Sequence, residues 1–460
     1  MRFIYPFFLL TAACFLTSAK STKMATEKPN VVLVFADDMG FECLGTYGGA
    51  SYSTPNLDKL AKDGIRFENC HSMPRCAPSR AQIMTGRHNF RNYRGFNAYP
   101  RSYVGSEGFE YTFANILGNA GYATCVAGKW QMDFSKVKAA GFDEYCLHDQ
   151  NKTSCYWDPT VRYHDRPTVT RTGEYGPDIF CNFLLDFIER EKDGPFLAYL
   201  SMNLPHFPWL PTPDTPGPYP ESDKHVDYAA PNYKDRMGDT KYFADNVAYV
   251  DKLVGRIVAK LEELGLSENT LILFTADNGS EKAIDFSRLE DGTVVLGGKS
   301  GSRDGGSHVP LVGKWPAQVT PGTVCSDLIN FSDFLPTFAE AGEGTIPEGR
   351  VLDGISFLPR LKGQKGTPRT SMFVWYQESW FSRFPNSARV WARTTRYKLY
   401  NTNEFYDVVA DLNEQNNIAP GTGTPEAEKA RRELAKFMRD MIPTVDKYRS
   451  EPTPQPDMPD

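Results

Sequence analysis

Beyond its N-terminus the sequence has no apolar run near the ~20 residues that a membrane-spanning helix requires. Its one long apolar run, residues 3–16, is itself too short for a comfortable span, so no transmembrane segment is expected. No basic tract stands out and the net charge is −6, which argues against nucleic acid as a partner. Histidine is scarce, at 7 in 460 residues, and no cysteine spacing resembles a zinc site. Internal repeats are missing as well, so no repeat architecture is expected. What is present is ordinary globular composition, 40% hydrophobic and 23% charged, in a chain long enough for one large domain and a smaller one. An anionic substrate would need a local positive pocket inside this acidic shell.

The N-terminus reads as an export signal: Met1-Arg2, the apolar run 3–16, then Thr17-Ser18-Ala19-Lys20. Cleavage after Ala19 is the preferred reading, with Thr11-Ala12-Ala13-Cys14 as an alternative lipoprotein site. The expected location is periplasmic or extracellular. Of the 9 cysteines, Cys43, Cys70, Cys125, Cys146, Cys155, Cys181 and Cys325 have no evident chemical role. Export permits disulfides, Cys146 with Cys155 being the most plausible local closure, and free buried thiols are the equal alternative.

Four apolar runs each end in chemically capable residues. Residues 30–36 lead to Asp37-Asp38, 122–127 to Gly128-Lys129, 195–200 to Asn203 and His206, and 270–275 to Asp277-Asn278. Short apolar runs without alternation predict strands buried on both faces of a mostly parallel sheet. Helices are expected at 54–61, 111–120 and 242–264, giving an α/β fold whose ligands bind beyond the carboxyl ends of the strands. Residues 152–176 and the proline-rich 205–235 read as long loops without regular core elements. After a linker at 363–368, short strands at 371–376, 388–393, 398–400 and 404–408 and a helix at 425–441 predict a small antiparallel C-terminal subdomain. The expected organisation is leader 1–23, main α/β domain 24–365, C-terminal subdomain 366–450 and an unfolded, proline-containing tail 451–460.

Residues 76–87, Cys-Ala-Pro-Ser-Arg-Ala-Gln-Ile-Met-Thr-Gly-Arg, describe a short helix with Cys76 at its mouth. Pro78 suits the first turn and Gly86 a left-handed exit. Cys76 then sits where the helix dipole and free N–H groups favour an anion, and Arg80 adds a fixed cation. This run resembles the signature of the type I, formylglycine-dependent sulfatases of the alkaline phosphatase superfamily. The resemblance implies that a maturation enzyme oxidises Cys76 to formylglycine, whose hydrated aldehyde is the nucleophile.

Asp37, Asp38 and Asp277 would repel one another at neighbouring strand ends unless a cation neutralises them. With Asn278 they form an all-oxygen set suited to Ca²⁺ or Mg²⁺. The resemblance implies one metal, usually Ca²⁺, held by these four residues and the converted Cys76. Lys129 and Lys299 lie in segments similar to the family's sulfate-binding lysine motifs, and with Arg80 they are the expected catalytic cations. His206 resembles the acid that protonates the leaving alcohol. One departure is Gln131, in Lys129-Trp130-Gln131, where the family usually has a histidine that helps release sulfate. Gln131 cannot take a proton, so Asp277 or water substitutes, or turnover is slow. A second is His308, where an arginine is common.

Export and a sulfatase-like site point to a sulfated carbohydrate substrate. Arg162, His164, Trp209, His225 and Arg383 are candidate substrate contacts, and Trp157, Trp380 and Phe381 candidate stacking rings. A phosphodiesterase or phosphonate monoester hydrolase of the same superfamily, or a weakly catalytic glycan-binding protein, are the alternatives.

Overall fold

The computed structural model describes Met1 and residues 28–92, 111–149, 155–226, 236–377 and 388–447. The expected leader beyond Met1, Cys14, Trp380, Phe381, Arg383 and the 451–460 tail lie outside the described residues. The strands, in chain order, are β1 (Asn30–Ala36), β2 (Ile65–His71), β3 (Ala123–Gly128), β4 (Glu144–His148), β5 (Thr160–Tyr163), β6 (Val169–Thr170), β7 (Phe196–Ser201) and β8 (Thr270–Ala276). They continue with β9 (Phe286–Arg288), β10 (Val294–Leu296), β11 (His308–Lys314), β12 (Thr323–Asn330), β13 (Met372–Gln377), β14 (Ala388–Arg393), β15 (Tyr397–Tyr400) and β16 (Phe405–Asp407).

Ten of these form one sheet in the order β12-β2-β11-β8-β1-β7-β3-β4-β5-β6. The four apolar runs are the adjacent strands β8, β1, β7 and β3, all parallel. Every residue of β1, β7 and β8 is buried, as runs without alternation require when helices cover both faces. The register pairs Ala36 with Ala276, Phe35 with Ser201 and Gly128 with Ser201, so the four strands end at one level. Helix Gly176–Arg190 packs on β3 and β7 and against the long helix Phe243–Glu263. Phe113, from helix Phe113–Asn119, meets Tyr199 of β7 edge-on at 5.9 Å and Phe338 of helix Phe334–Ala341 at 5.3 Å.

One part of the sheet differs from the sequence reading. Residues 152–176 hold β5 and β6, antiparallel strands at one edge. In β5, buried Val161 and Tyr163 alternate with partly exposed Thr160 and Arg162, a pattern an edge strand tolerates and a polar loop imitates. On the other side, β11 runs antiparallel to both β8 and β2, extending the sheet beyond the parallel block. The 8 described cysteines are free, Cys146 and Cys155 included. No helix among the described residues is long and apolar enough to cross a membrane.

β13–β16 form a separate antiparallel sheet in chain order, backed by helix Pro425–Asp446. Thr424 caps that helix through Ala427 N at 3.2 Å. The helix runs past the expected end at 441, because the buried stripe Leu434, Met438, Ile442 and Val445 continues through Pro443. The two layers are joined by a buried ion pair in which Arg393 of β14 donates to Asp304, whose other oxygen is 3.1 Å from His308 Nδ1. Burial pushes the Asp304 carboxyl up, but Arg393 and His308 outweigh it and hold it well below the ordinary aspartate value. A carboxyl depressed in the folded state stabilises the protein above its unfolded pKa and loses that contribution as pH falls. Arg393→Met should therefore lower the unfolding free energy by roughly 3–5 kcal/mol in denaturant titrations at pH 7. Its difference from the unsubstituted protein should narrow as pH falls below 3.8.

Candidate active site

The loops leaving β1, β3, β7 and β8 converge because those strands are neighbours and point the same way. The chain turns sharply after β1, with Asp38 in the left-handed region at φ 65°, a conformation aspartate tolerates. That turn lets Asp38 N donate to Asp277 Oδ1 at 3.0 Å, while Asn278 Nδ2 donates to Asp38 Oδ1 at 2.8 Å. Helix Cys76–Thr85 begins at this cluster, with Cys76 beside Asp37 and Asp277, and exits at Gly86, φ 65°. Its entry is tied by Ser79, whose hydroxyl accepts from Met73 N at 3.0 Å and lies 2.7 Å from Arg75 O.

Arg80 is sealed from solvent at 1% exposure. Its Nη2 lies 2.8 Å from Asp277 Oδ2 and 3.6 Å from Asp37 Oδ2, and its Nη1 donates to Ser201 Oγ. Lys129 donates to Asp37 Oδ2. Its neighbour Gly128 has φ 103°, and a Cβ there would lie 2.1 Å from Ser201 O, so only glycine lets β3 end against β7. Lys299 Nζ donates to Asp38 Oδ2 at 2.5 Å and lies 3.3 Å from Glu281 Oε2. Gln131, at φ 63°, donates from Nε2 to Cys76 Sγ at 2.9 Å. His206 donates from Nδ1 to Phe207 O, which leaves Nε2 facing Asp38 Oδ2 at 3.6 Å. Cys76, Asp37 and Asp277 each offer one atom within 4.8 Å of the others, and Asp37, Asp38 and His206 do likewise.

The electrostatics are those of a crowded, dry pocket. Burial pushes Asp277 up to about 8, with Asp37 adding to it and Arg80 opposing. Burial also acts upward on Asp37, but Lys129, His206 and Arg80 win and hold it far below the ordinary range. Burial, then Lys299, pull His206 down to about 4, and burial raises the Cys76 thiol. Arg80, Lys129 and Lys299 thus offset Asp37, Asp38 and Asp277, with Glu281 beside Lys299, without relieving the repulsion at Asp277. Two buried acceptors, Asp37 Oδ1 and Asn278 Oδ1, have no hydrogen-bond donor. Orphaned buried oxygens on residues of a carboxylate cluster fit a hard divalent cation.

The structure therefore brings Asp37, Asp38, Cys76, Arg80, Lys129, Gln131, His206, Asp277, Asn278 and Lys299 into one cluster. Other expected contacts fall elsewhere. Trp209 is 1% exposed, with its indole N–H bound to Pro205 O at 3.0 Å, so it packs the core and cannot stack on a substrate. His164 sits edge-on to Tyr145 and Phe183, away from the cluster, and Arg162 pairs with Asp149 at 3.0 Å over the Phe134 ring. His225 is half-exposed, 3.7 Å from Asp158, beside Lys224, which covers the Trp157 ring. His308 stacks on Phe41 and His71. Sequence reasoning missed Ser201, which receives Arg80, and Glu281, which faces Lys299. Ser201 directly follows the apolar run 195–200, and Glu281 lies three residues beyond Asn278.

Comparison with known proteins bears on this geometry. The sulfatase family model matches residues 29–344, and the model described as N-sulphoglucosamine sulphohydrolase, C-terminal, matches residues 303–443. The N-acetylgalactosamine-6-sulfatase of Canis lupus familiaris is 30% identical over 377 residues, spanning 75% of this chain and 68% of that protein. An ulvan-active sulfatase of Formosa agariphila is 29% identical over 447 residues, 92% of this chain and 83% of the relative. Among solved structures, Ps i-CgsB in complex with k-i-k-neocarrahexaose superposes with a TM-score of 0.72 at 24% identity, over 90% of this chain and 92% of the other. With a family model matched across most of its length, the chain belongs to the sulfatases, formylglycine-dependent sulfuric ester hydrolases of the alkaline phosphatase superfamily.

Proposed function

We propose that this protein is an exported sulfatase that removes sulfate esters from sulfated carbohydrate, with Ca²⁺ as its metal and a formylglycine made from Cys76. The observation that carries the reading is Cys76 Sγ at the mouth of its helix, within reach of Gln131 and the aspartates that Arg80, Lys129 and Lys299 neutralise. The names of the relatives support the substrate class, since one acts on N-acetylgalactosamine-6-sulfate and another on ulvan. Residues 1–23 are the leader, 24–365 the catalytic domain, 366–450 the C-terminal subdomain and 451–460 a tail.

Asp37, Asp38, Asp277 and Asn278 would hold the metal, together with the converted side chain at position 76. Asp37 Oδ1 and Asn278 Oδ1 are the oxygens left free to do so. A cation bound there would polarise a sulfate oxygen and add positive charge to a pocket whose own cations are offset by carboxylates. Formylglycine supplies a hydrated aldehyde as nucleophile. Lys129 and Lys299 orient the non-bridging oxygens of the substrate, and Arg80 holds Asp277 and Asp37 in place. His206 presents Nε2 to the leaving oxygen. The bound ester's negative charge raises the proton affinity of that nitrogen, against the burial that lowers it. Gln131 can orient a hydroxyl at position 76 but cannot accept its proton.

Sulfate release from a panel of defined sulfated saccharides tests the reading. Cys76→Ala should lose activity by roughly a thousandfold or more, while unmodified thiol in fully active enzyme, by peptide mass spectrometry, would contradict it. Gln131→His should raise kcat by about tenfold or more, since general acid–base assistance is worth at least that. An unchanged or lower kcat in a correctly folded Gln131→His protein counts against the assigned role.

A further inference from the structure

The lysine that reaches Asp38 sits on a loop that the C-terminal subdomain grips. Gly298 N and Lys299 N both donate to Ser280 O at 3.0 Å, which fixes one side of the loop to the strand end carrying Asp277. The following residues are held from the opposite layer. Tyr376 of β13 donates to Ser300 O at 3.2 Å. Lys398 of β15 donates to Ser302 O, and the Tyr400 hydroxyl lies 2.8 Å from the same oxygen. Glu414 Oε1 accepts from Asp304 N at 2.7 Å and from Lys398 Nζ at 2.8 Å, while its Oε2 accepts from Tyr400. Three backbone groups in alternation, at 300, 302 and 304, are thus fixed by side chains from beyond residue 370.

This cluster is expensive to bury. Lys398 is 0% exposed and Glu414 6%. A buried ion pair adds little stability over apolar residues of like size, so its presence calls for another reason. Burial pulls Lys398 below its ordinary value, and Glu414 opposes that by proximity. Glu414 also occupies the left-handed region at φ 52°, where glycine would be unstrained but could not supply a carboxylate. Ser300, next to Lys299, is left-handed too, at φ 62°. Asn413, the residue before Glu414, exchanges hydrogen bonds with β10, donating to Val294 O at 2.7 Å and accepting from Leu296 N at 3.1 Å.

We propose that Lys398, Tyr400 and Glu414 are positioning residues: they fix the 298–306 loop so that Lys299 is held at the sulfate-binding pocket. The inference rests on the reading of Lys299 as a sulfate-binding cation. It makes the C-terminal subdomain part of the anion site without any of its residues touching the anion. The loop is rich in glycine, with Gly298, Gly301, Gly305 and Gly306, and would sample many conformations without these contacts.

A double-mutant cycle on the full chain loaded with Ca²⁺ tests it, read as the dissociation constant of inorganic sulfate by titration calorimetry. Lys398→Met with Glu414→Gln removes both charges together, so no unpaired charge is left buried. This pair should weaken sulfate binding about fivefold, and Lys299→Ala about tenfold or more. With Lys299 already replaced, adding the pair should change affinity by less than about twofold, because the loop then has nothing to place. Full additivity in a folded protein would show the pair to be merely structural and would overturn the proposal, as would no weakening by the pair. If Lys299→Ala leaves sulfate binding unchanged, the reading of Lys299 fails and the inference falls with it. Should the pair variant melt below the assay temperature, Tyr400→Phe carries the same cycle, with about a two- to threefold effect that must vanish when Lys299 is absent.

Discussion

Three carboxylates crowded at neighbouring strand ends, out of reach of water, are the constraint on which the rest of this protein depends. Asp37, Asp38 and Asp277 are each at most 1% exposed, and in the low dielectric of a protein interior their repulsion is far larger than in water. Arg80, Lys129 and Lys299 offset that charge, each pinned to a particular oxygen. Offsetting is not relief: Asp277 is still pushed up to about 8, and buried acceptor oxygens on Asp37 and Asn278 have no donors. A divalent cation answers both conditions and leaves a net positive pocket, which is what a sulfate ester needs in a chain of net charge −6.

The fold delivers that arrangement by making four parallel strands end at one level, with registers tying Ala36 to Ala276 and Gly128 to Ser201. Close backbone approach does the rest. Gly128 lets β3 end against the Ser201 carbonyl, and Gly298 packs where a Cβ would lie 2.2 Å from the Gly305 backbone. The second layer then closes over the loop that bears Lys299, so the small C-terminal sheet and the large sheet share one buried polar seam, Asp304–Arg393 and Lys398–Glu414. Such seams specify one docking of two layers because every polar group must find its partner at once.

The parallel block was legible because strands buried on both faces write themselves as uninterrupted apolar runs, and each run here stops at a polar residue that the site uses. Helix Cys76–Thr85, its exit at Gly86 and the meeting of Gln131 with Cys76 were readable from local signals and a family-like motif. Less legible were the antiparallel strands that flank this block. β5 alternates partly exposed and buried residues and β6 is exposed, so both look like loop, and β11 joins the sheet antiparallel through partners more than thirty residues away. Trp209 misled because an aromatic in a proline-rich segment gives no sign of which way it faces; its indole N–H turns inward to Pro205 O. Nothing in the sequence marks Lys398 or Glu414, since burial of a charged residue becomes visible only when its partner is known.

If the pocket's cations only offset its carboxylates, an anionic ester binds there only with a divalent ion in place. The affinity of the purified protein for inorganic sulfate, measured with saturating Ca²⁺ and again with the metal removed by chelator, tests this most directly. Binding should weaken by about a hundredfold or more on chelation, as expected for losing a doubly charged neighbour in a dry site. Equal affinity in the two conditions, with the protein folded in both, would contradict it.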